Sequence, residues 1–472
     1  MSRQGKGRAV YVAGLRVDGV RGFHGPRACD LDFTRPGGGY AGWTVMAGRN
    51  GSGKTTLLRL LALTLTGGRR AHQLEPELED YLTLGATHGS VVAKILADRA
   101  ADTMAPAGGE PAEVRLDWRP EQDDGLFDEP TEDFEPPTEV VFTAPRTLTS
   151  ALWSSAPPPG WFCAAYGPFR RLTGTGLYER TPPQLDRATA LRTLFEEQSA
   201  LTEAFDWLLS LHLRTLEARP GIGELKAGVL RLLNDGDGGD ALLPDCYRIE
   251  DVDSDGMWLR RQGDSGPEGA RIELRRMSDG QRTVVALVLD IVRQMHAAYG
   301  VLAFEERAGG TVVLPHPGVV LIDEIDAHLH MTWQKRIGQW LTAHFPAIQF
   351  IVTTHSPYVC QAADPGGLIR LPGTGEQGPP QVVDRDLYGR IVYGTGDDAA
   401  LSDLFGLDSP YSDEARHLRD RLAELEYDVL LGRADAEQTE EYLRLRERLS
   451  SSPVARVDEV MERYRLSRER DA

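Results

Sequence analysis

The run WTVMAGRNGSGKTTLLRL, residues 43–60, constrains this chain more than any other stretch. An apolar β-run, Trp43–Ala47, passes through a glycine-rich loop into an apolar helix expected over Thr55–Leu65. Gly48, Asn50, Gly51, Ser52, Gly53, Lys54 and Thr55 satisfy GxxxxGK[ST] in that strand–loop–helix setting. Gly51 and Gly53 let the backbone wrap closely, so that amide N–H groups point at phosphate oxygens. The start of the helix, including Thr56, adds its positive dipole end. Lys54 is a compact charge suited to the β- and γ-phosphates, a task for which arginine's broad fork is a poor fit. It is one of only five lysines in a chain whose basic residues are otherwise arginine. Thr55 offers a hydroxyl to Mg²⁺. The competing reading is a glycine turn capping an ordinary helix.

Far downstream, GVVLIDEIDAHLH places Asp323 and Glu324 at the end of an apolar β-run. Consecutive acids after a buried strand are expensive unless they serve a metal or a proton. Asp323 suits the Mg²⁺ and Glu324 suits the attacking water. QFIVTTHS is a second apolar β-run ending at His355. If it lies beside the Asp323 strand in a parallel sheet, His355 stands at the carboxyl edge, where ligands bind, and a γ-phosphate contact is expected. His328, His330 and His344 follow no usual ligand spacing, so a metal site of their own is not expected.

Between these motifs, Met277-Ser278-Asp279-Gly280-Gln281 forms a turn before a helix that is apolar on nearly every side. Ser278 can be read as a plain helix cap. The ordered set of motifs, however, resembles the ATP-binding-cassette ATPase superfamily, in its SMC, RecF and OLD-like branch, over roughly residues 10–360. The resemblance implies an α/β P-loop head: a mixed β-sheet with flanking helices, a helical lobe carrying the signature motif, and here a C-terminal helical extension. It implies ATP and Mg²⁺ as ligands. It also implies that Ser278, Gly280 and Gln281 meet the γ-phosphate held by a second subunit, and that Asp326 lies in a loop crossing that interface. Met for Leu and Asp for the first Gly are departures from the LSGGQ pattern.

The interval between phosphate loop and signature lacks the heptads of an SMC coiled coil, and a compact head is expected. No convincing nuclease array follows His355; Asp384 and Asp386 alone are weak. Tyr166–Arg171 (YGPFRR), IDEIDAHLH and Asp403–Ala415 are similar to the Septu ATPases of bacterial anti-phage defence, which work with an HNH nuclease. Met331 departs from that pattern. The resemblance implies an ATPase that dimerises through composite ATP sites and regulates a separate effector nuclease. The alternative is a RecF-like repair or recombination ATPase acting on DNA. The five lysines include no [NT]KxD, which favours ATP over GTP.

Composition bounds the rest. A net charge of −19 opposes indiscriminate nucleic-acid binding. Much of it is local, because nine acids face only Arg119 between Trp118 and Val140, so a basic DNA groove elsewhere stays possible. Cys29, Cys163, Cys246 and Cys360 form no CxxC pair and read as isolated thiols. No apolar run approaches the roughly 20 residues of a membrane span, and the first residues lack a secretory pattern, so a cytoplasmic protein is expected. The expected organisation is a head over 1–395 with an acidic surface insertion at about 105–140, a helical lobe at about 182–300 and the carboxylate-to-histidine segment 318–356. A helical region, 396–472, serves a dimer or a partner. There Leu418, Leu422, Leu425 and Val429 form one stripe and Tyr442, Leu445 and Leu449 another, fit for an internal hairpin or a docking surface.

Overall fold

A computed structural model describes residues 10–97, 111–120, 138–146, 148–149, 161–169, 187–196, 201–236, 241–243, 247–253, 256–261, 271–307, 309–407 and 409–449. Two compact units divide the chain, Met1–Val392 and Tyr393–Ala472.

The first unit holds two principal sheets. One is antiparallel, ordered β2 (Cys29–Asp32), β1 (Val10–Asp18), β4 (Gly89–Ala97), β5 (Ala112–Pro120), β6 (Thr138–Thr143). The other is ordered β16 (Gln381–Val382), β15 (Leu368–Arg370), β3 (Gly42–Ala47), β14 (Ile348–Thr354), β13 (Gly318–Ile322), β7 (Cys163–Tyr166). Its pairings are parallel except at the β15–β16 edge. A three-stranded sheet of β8 (Tyr247–Asp253), β9 (Gly256–Arg261) and β10 (Ile272–Glu273) and a ribbon of β11 (Glu305–Glu306) and β12 (Val312–Val313) are the other strands among the described residues.

Helix α1 (Lys54–Thr66) is apolar almost all round because both principal sheets need it. Leu57, Leu58, Leu60, Leu61, Leu63 and Leu65 share one buried cluster with Val91 and Val114 from the antiparallel sheet and Val319 and Leu321 from the parallel one. A single side-chain amide adds a polar tie. Gln349 on β14 accepts from the Val12 N–H at 2.8 Å and donates to the Val12 carbonyl at 2.8 Å. The contact lies beside the register irregularity between Val12 and Gly14 in the β1–β4 pairing.

The acid-rich stretch expected as a surface insertion over about 105–140 is partly sheet. Ala112, Val114, Leu116 and Trp118 alternate inward on β5, which pairs with β6. A period-two apolar pattern decides the strand there, whatever the charge of the residues beyond it. Residues 121–137 lie outside the described set.

The helical lobe contributes α2 (Thr202–Leu216), α3 (Ile222–Leu233) and α4 (Asp279–Tyr299), and the segment between β13 and β14 folds as α5 (Met331–His344). In the second unit α6 (Asp413–Leu430) and α7 (Ala436–Arg448) form a hairpin. Its two sequence stripes face each other: Leu422, Leu425 and Leu445 are buried, with Leu418, Tyr442 and Leu449 packed around them.

Candidate functional site

The parallel sheet brings the separated motifs to one edge. β3 delivers the glycine loop, and β14 and β13 lie next along the sheet with Thr354 opposite Ala47 and Ile322 opposite Val352. The expectation of a parallel neighbour for the Asp323 strand therefore holds. Ligands bind at this carboxyl edge in open α/β sheets.

In the loop, Gly51 and Gly53 have φ of +76° and +95°, a left-handed region that penalises any Cβ. A Cβ on Gly48 would stand 2.5 Å from the Leu371 carbonyl oxygen, and one on Gly53 would strike the Phe23 ring at 2.5 Å. Asn50 and Gly51 are exposed at the tip. Ser52 is buried, and among the described residues its hydroxyl has no hydrogen-bond partner. The Lys54 ammonium donates to the carbonyls of Gly48 at 2.8 Å and Arg49 at 3.1 Å. Burial lowers its pKa, against the pull of Asp323, Glu324 and Asp326. Thr56 is half-buried in the first turn of α1.

Thr55 Oγ1 donates to Asp323 Oδ2 at 2.8 Å. The backbone N–H of Asp323 donates to the Tyr166 carbonyl at 2.7 Å, which fixes the strand end. Glu324 follows with φ +44° and is half-buried. A non-glycine residue there costs on the order of 1–3 kcal/mol and persists only where the surroundings enforce it. Here Thr353 enforces it, its hydroxyl accepting the Glu324 N–H at 2.8 Å while donating to the other oxygen of Asp323. Asp326 accepts from the Thr354 hydroxyl and, at 3.3 Å, from the His355 N–H. Ser356 donates to Gln334 at 2.7 Å, and the Gln334 amide in turn holds the Leu329 carbonyl at 2.9 Å.

Sequence reasoning picked out the acids and His355 but missed this ladder of Thr353, Thr354 and Ser356. Its trace is visible in TTHS, hydroxyls clustered where an apolar strand runs out. His355 itself has its pKa lowered by burial and then by Lys54, with Asp326 and Asp323 opposing. A neutral imidazole, with one donor and one acceptor nitrogen, follows near neutral pH.

The signature loop lies apart from these contacts. Ser278 is the exposed N-cap of α4, and its N–H and Oγ both donate to Gln281 Oε1, at 3.1 and 2.9 Å. The Gln281 side chain reaching back to the Ser278 N–H is the capping-box arrangement of a helix start. Gly280 backs onto the loop after Asp326: a Cβ there would sit 2.5 Å from the His328 carbonyl oxygen. α4 is buried as expected, but it also carries Asp290 and Arg293, a buried ion pair that its apolar pattern conceals. Of the other histidines, His330 caps α5 and His344 bonds Asp235 and the Trp340 carbonyl. Cys29, Cys163 and Cys360 are buried and in no disulfide among the described residues; Cys246, Arg170 and Arg171 lie outside the described residues.

A nucleoside triphosphate with a divalent cation fits these residues. The positive φ of Gly51 and Gly53 turns the loop back over the start of α1, the Lys54 ammonium waits on carbonyls, and the buried Ser52 hydroxyl has no hydrogen-bond partner among the described residues. Thr55 and Asp323 pair a hydroxyl with a carboxylate, an all-oxygen donor set that suits Mg²⁺.

Residues 260–361 match a family model described as "AAA domain, putative AbiEii toxin, Type IV TA system", and residues 15–95 match another described as "AAA domain". The Septu protein PtuA of Bacillus mycoides (strain KBAB4) is 25% identical over 72% of this chain and 37% of its own length. A second Septu protein PtuA, from Bacillus thuringiensis, is 29% identical over 36% of this chain and 40% of its own.

Over most of its length the chain resembles a Septu PtuA protein. The retron Ec83 probable ATPase of Escherichia coli is 41% identical over 20% of this chain and 16% of its own length. A solved SMC head bound to the C-winged helix domain of ScpA superposes with TM-score 0.46 at 15% identity, covering 79% of this chain and 97% of that one. The matched segments thus span well under half of each Septu relative's length. The fold is the mixed α/β P-loop head with a helical C-terminal region that the motifs implied. Among the described residues no helix is long and apolar enough to cross a membrane.

Proposed function

We propose that the chain binds and hydrolyses ATP, that two copies close on the nucleotide through composite sites, and that the closed state regulates a separate effector nuclease in anti-phage defence. The observation that carries this is the meeting of Lys54, Thr55, Asp323, Glu324, Asp326 and His355 at one sheet edge while Ser278 faces solvent.

The roles follow from the chemistry. Lys54 exchanges the Gly48 and Arg49 carbonyls for phosphate oxygens, aided by the loop amides and Ser52. Thr55 and Asp323 would hold Mg²⁺, which when bound would neutralise charge on the phosphates. Glu324 takes the proton as a water oxygen bonds to the γ-phosphorus and the bond to the leaving ADP oxygen breaks. His355 donates its N–H to the γ-phosphate. Ser278 and Gly280 of a second copy complete the clamp, with the positive end of α4 behind them. Asp326, tethered by Thr354 beside the Gly280–His328 contact, belongs to the same interface. The C-terminal hairpin serves the dimer or an HNH-type nuclease, and the site of action is the cytoplasm. The Septu likeness supports the defence role.

The test is Glu324→Gln. Hydrolysis is expected to fall by about 10²–10⁴-fold, the usual share of a general base. ATP should then double the mass seen by light scattering during size exclusion. A Glu324→Gln protein that binds ATP yet stays at one mass would refute composite sites.

A further inference from the structure

The buried polar groups of α4 form a path between the carboxylate end of β13 and the signature helix. Tyr166 ends β7. Its carbonyl holds the Asp323 N–H at 2.7 Å, and its hydroxyl donates to Asp290 Oδ2 at 2.9 Å. Arg293 donates through Nε to Asp290 Oδ1 at 2.8 Å, and its guanidinium reaches Glu203, in the first turn of α2, at 2.9 Å. Tyr166, Asp290 and Arg293 are 1%, 3% and 8% exposed. Asp290 stands on the same helix as Ser278, which caps it about 18 Å away at 1.5 Å per residue.

A plain packing role leaves the chemistry unexplained. Apolar side chains of equal volume hold such a helix as firmly as a buried ion pair does. A satisfied polar set instead admits one position, since any slide leaves a charge or a hydroxyl without its partner. Tyr166 is the one residue of the set that also touches the backbone of Asp323.

We propose that Tyr166 is a positioning residue that couples the Asp323–Glu324 end of β13 to the signature helix through Asp290 and Arg293. Occupation of one protomer's phosphate loop thereby sets where that protomer presents Ser278. This deepens the nucleotide-driven association proposed above and rests on it.

The experiment compares the full chain with Tyr166→Phe in three readouts: the ATP dissociation constant at dilutions where the protein is monomeric, kcat, and ATP-dependent association. Expected are an unchanged dissociation constant, within about twofold, and losses in kcat and association of about five- to 150-fold, the usual span of coupling between sites. A merely structural phenol would lower the melting temperature and leave kcat and association of the folded protein alone; that result overturns the inference while the proposed function stands. A parent protein that neither hydrolyses ATP nor associates removes both. Should Tyr166→Phe not fold, hydrogen exchange on the parent decides. ATP must slow exchange in peptides covering 163–167 and 287–295 along with the phosphate loop. Protection of the phosphate loop alone overturns the coupling.

Discussion

His355 shows how a position is chosen by its neighbours. Burial lowers its pKa below the ordinary 6.5, and the Lys54 ammonium lowers it further. The folded protein therefore binds fewer protons than the unfolded chain just below pH 6.5, and stability rises with pH through that window. The contribution of His355 is complete above pH 6.5 and is lost as pH falls through the folded value. A bound triphosphate places negative charge near the ring and raises that value. The ring proton of His355, assigned by its loss in His355→Gln, should titrate below 6.5 in nucleotide-free protein and move upward with ATP. A free-protein midpoint at or above 6.5 would show that neither burial nor Lys54 controls the imidazole. What sequence reveals at this scale depends on distance along the chain. Lys54 and its glycines are legible because the loop's geometry is encoded locally in consecutive residues. Asp290 is not, because the hydroxyl that explains it belongs to Tyr166, 124 residues away.

Elements were legible where their pattern was strong and went unread where another signal masked it. The apolar runs ending at Asp323 and His355 could only be buried parallel strands once a phosphate loop was present. β5 was masked by acids, though its inward Val114, Leu116 and Trp118 alternate cleanly. The C-terminal stripes permit either self-packing or docking, because stripes on two helices do not say which surface they meet. Its stripes pack on each other around Leu425, which is fully buried, with Leu422 and Leu445 buried beside it among the described residues. Leu425→Ala should cost about 2–5 kcal/mol, the usual cost of truncating a buried leucine. Hydrogen exchange in peptides covering 413–448 should rise while the β3 and β14 amides keep their protection. Equal loss of protection in both regions would show that the hairpin does not open separately from the head.

At the scale of the whole molecule, one signature cap and one phosphate loop in each copy can make either two private sites or two shared ones. Ser278 is exposed, and among the described residues its hydrogen bonds stay within its own helix cap. A private site has no use for it; a shared site has. Mixing two defective proteins separates the cases. Lys54→Ala removes the charge that holds the phosphates. Ser278→Arg removes the trans donor and costs about 0.5–2 kcal/mol of capping, which a 21-residue buried helix tolerates. Each variant alone should be inactive if sites are shared. In a mixed dimer, the intact phosphate loop of the Ser278→Arg copy faces the intact Ser278 of the Lys54→Ala copy. One of the two sites is therefore whole. Random pairing in a twofold dimer makes half the dimers mixed, so an equimolar mixture should recover about a quarter of the parent's turnover if the sites act independently. Private sites predict only the sum of the two variants' separate rates. Recovery should also grow with total protein concentration, because it depends on pairing, and steady-state phosphate release across a dilution series reads both quantities at once.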